Sequence, residues 1–139
     1  MKPKFGVYTK VAVGAILILI GIGWVFWNIL GYSMCGNEII STAVAQNRIF
    51  KAVVFKRDCG ATTGCSVQVS LKLAIKPLFD YETGNIFIID GDGPVEARWK
   101  DSRTLKIIYP IGSNLFKSRK QILFFKVEYI PNVMLTNSK

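Results

Sequence analysis

There is no histidine in the 139 residues, acidic residues number only 9 against 18 lysines and arginines, and cysteine occurs three times. The missing imidazole removes the usual general base, the usual zinc ligand and any Ser-His or Cys-His nucleophile pair. Cys59 and Cys65 are separated by five residues, so a C-x-x-C dithiol is absent and a thiolate metal site is not expected. Glycines 14, 21 and 23 do not form a G-x-x-x-G pair, and there is no repeat or low-complexity tract. Asp90 and Asp92 are two carboxylates without the rest of an EF-hand loop, which reads as a turn. These absences point away from catalysis, and neither an enzyme nor a cofactor site is expected.

What is present is one long apolar run. Val11 to Tyr32 carries no charge. At about 1.5 Å per helical residue it reaches roughly 33 Å, enough for a bilayer core of about 30 Å. The run exceeds the roughly 7 to 15 apolar residues of a cleaved signal peptide and ends in Asn28, Ile29, Leu30, Gly31 and Tyr32, so a retained span is expected. Cys35 follows closely, but Tyr32, Ser33 and Met34 are poor precursors of a lipid-attachment site. Lys2, Lys4 and Lys10 precede the run, and no Lys or Arg follows until Arg48. This asymmetry predicts an inside N-terminus, 1–10, a span, 11–32, and an outside domain, 33–139. Trp24, Trp27 and Tyr32 near the outer end and Tyr8 near the inner end suit headgroup anchoring.

The formal charge of +9 becomes +6 once the three lysines before the span are removed. Outside a membrane, that balance suggests anionic lipid, envelope polymer or an acidic partner rather than nucleic acid.

Beyond Gly36 the pattern has period two. Val67, Val69, Leu71, Leu73 and Ile75 alternate with Gln68, Ser70, Lys72, Ala74 and Lys76, predicting a strand with one buried and one wet face. Shorter alternations surround Val95, Ala97 and Trp99, and Leu105, Ile107 and Tyr109. A last strand is expected from Gln121 to Tyr129, with Leu123, Phe125, Val127 and Tyr129 on one face. Ile49 to Lys56 and Asn85 to Asp90 are apolar on both faces, as for central or doubly covered strands. Glu38 to Val44 leans towards strand. Asp90 to Pro94, Asp80 to Gly84 and Gly112 to Lys120 read as connections, giving a meander of hairpins. The expected fold is all-β: one small antiparallel domain of six or seven strands, barrel or sandwich, after one transmembrane helix.

Three cysteines outside a membrane predict one disulfide and one thiol left over. Loop entropy favours Cys35 with Cys59 at about 3.5 kcal/mol over Cys59 with Cys65 at about 2.4 kcal/mol, a margin too small to decide the pairing. Asp58 beside Arg57 is expected to form an ion pair or cap the loop. The residues Arg57, Asp58, Thr62 and Thr63 are a candidate binding loop, and Lys117, Arg119 and Lys120 a candidate contact with an anionic surface.

Cys35-Gly-Asn37, then Ala52-Val-Val-Phe55 running into Arg57-Asp-Cys-Gly-Ala-Thr-Thr63, then Gln68-Val-Ser70, Asn85-Ile-Phe87, Asp90-Gly91 and Trp99, form a combination found elsewhere. It resembles a family of small bacterial membrane-anchored proteins of unknown function. The resemblance implies a Cys35 to Cys59 bridge that pins the segment after the span to the domain, and a free, buried Cys65. It implies no reaction.

The expectation is therefore a non-catalytic protein of the bacterial cytoplasmic (inner) membrane, with its domain outside. It would engage another envelope protein, as an immunity-type or complex-accessory protein does. The alternative is a basic module that binds anionic lipid or envelope polymer.

Overall fold

The computed structural model describes residues 5–33, 35–60 and 63–133. The chain forms two compact units, Met1–Met34 and Cys35–Lys139.

The first unit is a single helix, α1 (Phe5–Ser33). Its segment Tyr8–Asn28 is long and apolar enough to cross a membrane, and none of it is buried by protein. The helix is longer than the uncharged run 11–32, taking in residues 5–10 before it and Ser33 after it. Within it, the Asn28 side-chain amide donates to the Trp24 carbonyl at 2.7 Å, so its polar group is partly satisfied inside the helix.

The second unit is all-β, with nine strands among the described residues rather than six or seven. They are β1 (Gly36–Val44), β2 (Phe50–Asp58), β3 (Cys65–Leu73), β4 (Phe87–Asp90), β5 (Glu96–Trp99), β6 (Thr104–Pro110), β7 (Leu115–Ser118), β8 (Gln121–Ile122) and β9 (Phe125–Asn132). One sheet has the order β1-β2-β3-β4-β7, the other β5-β6-β9-β8. Ala52, Val54, Val67, Val69, Phe87 and Ile89 of the first sheet share one buried core with Ala97, Leu105, Ile107, Phe125 and Val127 of the second. The choice between barrel and sandwich is thus settled as a sandwich. The Trp99 indole N–H donates to the Ala43 carbonyl at 2.9 Å, joining edge strands of the two sheets.

Four sequence expectations are corrected. The chain is not a pure meander: Asp90 to Pro94 links β4 to β5 across the two sheets, and β6 pairs with β9 in parallel. Gly112 to Lys120 contains β7, which pairs with β4. The expected strand from Gln121 to Tyr129 is broken into β8 and β9 by a two-residue turn at Leu123 and Phe124, with Ile122 opposite Phe125. Leu123 is therefore exposed instead of lying in line with Phe125 and Val127.

The fourth correction concerns β3. Val67, Val69 and Leu71 are buried as expected, but Gln68 and Ser70 on the other face are buried as well, and Ile75 lies past the strand and is exposed. The 74–85 connection folds back over that face. Gln68 accepts the Gly84 N–H at 2.6 Å, and the Ser70 hydroxyl accepts the Asn85 N–H at 3.2 Å. Only glycine fits at position 84, because an added Cβ would lie 2.8 Å from the Phe87 carbonyl oxygen and 2.9 Å from the Gln68 Cβ. No buried side-chain nitrogen or oxygen among the described residues lacks a partner.

Candidate binding site

At the end where the chain enters the sandwich, Gly36, Asp58 and Cys65 lie side by side in register on β1, β2 and β3. Cys35 and Cys59 are joined there by a disulfide, the pairing implied by the resemblance. Cys65 is a free thiol, half-buried rather than buried.

The candidate loop beside this bridge is occupied by its own fold. Arg57 donates to Asn37 Oδ1 at 3.0 Å, to the Asp80 carbonyl at 2.7 Å and to the Glu82 carbonyl at 2.8 Å. The Asn37 amide in turn donates to the carbonyls of Phe79 and Glu82. These bonds clamp the 74–85 connection onto the sheet, so the Arg57 guanidinium is directed inward and not presented to a partner. Asp58 caps its loop, accepting the Gly60 N–H at 2.9 Å. Thr63 donates to the Gly60 carbonyl at 3.4 Å, and Thr62 lies outside the described residues.

The three basic residues Lys117, Arg119 and Lys120 separate. Lys117 sits on β7, half-buried, with its ammonium on the Gly84 carbonyl at 2.9 Å. It therefore holds the strapped connection. Arg119 and Lys120 are exposed. The Arg119 carbonyl accepts the Tyr129 hydroxyl at 2.7 Å. Burial pushes the Tyr129 phenol up to about 12.

The opposite end of the sandwich carries a surface that the alternation pattern concealed. Three turns meet there. The Ala74 N–H donates to the Ile49 carbonyl at 2.8 Å, tying the exit of β3 to the β1–β2 turn. Phe124 of the β8–β9 turn meets the Phe50 ring edge-on at 5.6 Å between centroids. The result is an exposed apolar tip: Ile49 is 56% exposed, Ile75 88%, Leu123 69% and Phe124 57%. Leu123 takes φ 54°, a region disfavoured for a leucine, and is turned to solvent.

Six basic residues, Arg48, Lys51, Lys72, Lys76, Lys120 and Lys126, and no acidic one lie within three positions of these four side chains in sequence. Lys72 is neutralised by Glu82, and Lys126 pairs with Glu128 at 3.5 Å. For Glu128, partial burial raises the carboxyl, but Lys100 and Lys126 outweigh it and hold the group below its ordinary value. The neighbouring turn at 100–103 adds Asp101, whose carboxyl is lowered first by the Arg103 backbone N–H and then by Thr104. It accepts both backbone N–H groups at 2.8 Å. A groove of about 550 Å³ lies beside the tip, lined in part by Phe50, Leu73, Lys76, Tyr81 and Leu123.

Of the residues at this end, the sequence marks only Lys120 as a surface contact, whereas Ile75 and Leu123 are expected there on strand faces. A usable signal was Ile122-Leu-Phe-Phe125, four consecutive apolar residues that a strand with one wet face cannot accommodate.

Groups of three or more potential metal ligands are absent among the described residues. No family model matches the chain, and no curated protein or solved structure is found similar to it.

Proposed function

We propose that this chain is a membrane-anchored, non-catalytic binding module of the bacterial envelope, with its N-terminus inside and its β-sandwich outside. The sandwich engages a second envelope component through the end remote from the Cys35–Cys59 bridge. Three features support the reading: the apolar helix, the disulfide suited to an oxidising compartment, and the lysines grouped before the uncharged run.

The observation that carries it is the tip. Four large apolar side chains from three turns stay in solvent at one end, where the local sequence supplies only cations. Exposed apolar groups gathered in one place mark interaction surfaces more often than scattered ones do.

The test is a photo-crosslinking amino acid placed at Phe124 and, separately, at exposed Asp92, in membranes of cells making the full-length chain. Adducts at 124 and not at 92 are expected. Equal labelling at both sites, or none at 124, would remove the tip as the binding surface. Protection of the sandwich from external protease in intact spheroplasts would overturn the outside location.

A further inference from the structure

We infer that the component engaged by the tip is the surface of an anionic lipid bilayer. This rests on the reading of the tip as the binding surface and names its partner. Ile49, Ile75, Leu123 and Phe124 project from three separate turns that are tied together by the Ala74–Ile49 hydrogen bond and the Phe50–Phe124 ring contact. Their apolar ends can enter the boundary between headgroups and acyl chains without a shaped partner cavity.

Arg48, Lys51, Lys76 and Lys120 form no ion pair among the described residues, and their long stems can lie along the apolar surface while the charged heads reach phosphates. Glu82 and Glu128 are each held by lysines, and Asp101 is held by the amides of its own turn. The end therefore offers positive charge around a protruding apolar centre, the complement of an anionic interface. Leu123 is held in a left-handed conformation at this point, where its side chain faces outward.

The experiment uses the full-length chain in nanodiscs of phosphatidylcholine alone, mixed with separate vesicles of phosphatidylcholine with or without phosphatidylglycerol. Flotation measures capture, and brominated lipids report contact with a Phe124→Trp variant by quenching. Capture by anionic vesicles, quenching of F124W, and a fall of at least about tenfold on raising salt from 0.1 to 0.5 M are expected. A comparable fall is expected for R48E/K76E, which leaves the apolar residues in place, and for L123S/F124S. Both variants are checked for an unchanged thermal unfolding profile, so that a misfolded protein is not counted.

Equal capture by neutral vesicles, capture indifferent to both double variants, or no capture would overturn the inference. If capture fails while the photo-crosslinker at 124 yields a protein adduct, the tip remains a binding surface and its partner is a protein. If both fail, the two proposals fall together.

Discussion

Arg57 and Glu82 are joined through a guanidinium N–H on a backbone carbonyl at 2.8 Å, and this contact fixes the connection between β3 and β4 against the sheet. The same Arg57 nitrogen reaches Asn37 and Asp80, so the clamp depends on one nitrogen of one side chain. Arg57→Ala is expected to destabilise the domain by about 2–3 kcal/mol in urea unfolding, because partly buried carbonyls lose a charged donor. Limited proteolysis within residues 74–83 should accelerate. Arg57→Lys should recover less than half of the loss.

The Cys35–Cys59 bridge closes a separation of 24 residues. Loop-closure entropy predicts that C35S/C59S loses about 3.5 kcal/mol. Cys65→Ser should change stability by less than about 0.5 kcal/mol, since its thiol is unbridged and only half-buried. Denaturant midpoints of the two variants decide this, and equal effects would contradict it.

Leu123 at φ 54° predicts an inversion of the usual ranking of substitutions. Leu123→Gly should be neutral or stabilising by up to about 1 kcal/mol, because glycine adopts this backbone freely. Leu123→Val should lose about 1–2 kcal/mol, since a branched Cβ tolerates the left-handed region worst. Thermal unfolding of both variants provides the comparison.

Tyr129 sets an alkaline limit. Its phenol is raised from 10.0 to about 12 by burial, so the folded state holds this proton more tightly than the unfolded state does. The contribution is complete below pH 10 and is lost as pH rises from 10 towards 12. Tyr129→Phe should flatten stability over that interval while lowering it by about 1 kcal/mol at pH 7, through loss of the bond to Arg119. Urea titrations at stepped pH measure both effects.

The period-two pattern located the strands because burial against the partner sheet acts on alternate residues. Val67, Val69 and Leu71, or Leu105 and Ile107, are read correctly for that reason. It failed where a second layer intervenes. Gln68 and Ser70 look wet but are buried under the 74–85 connection, their polarity matched by the amides of Gly84 and Asn85. Alternation also cannot register a reversal that keeps apolar residues on both sides of it, which is why the hairpin at Leu123 and Phe124 reads as continuous strand. Arg57 and Asp58 were legible as special residues, yet their roles depend on Asn37, Asp80 and Glu82, which are distant in sequence. The apolar tip is an assembly of three turns and exists only once the chain has folded.

The placement of β9 bears on the timing of folding. In the order β5-β6-β9-β8, this last of the nine strands is an interior member whose parallel neighbour β6 begins 21 positions earlier. As the chain emerges from a ribosome or a translocation channel, the hairpins of β1, β2 and β3 can assemble at once from adjacent segments. The second sheet must instead wait with β6 unpaired along one side until Phe125–Asn132 arrives. During that interval the nascent domain exposes both an open strand edge and half of its core, and is most in need of protection from aggregation.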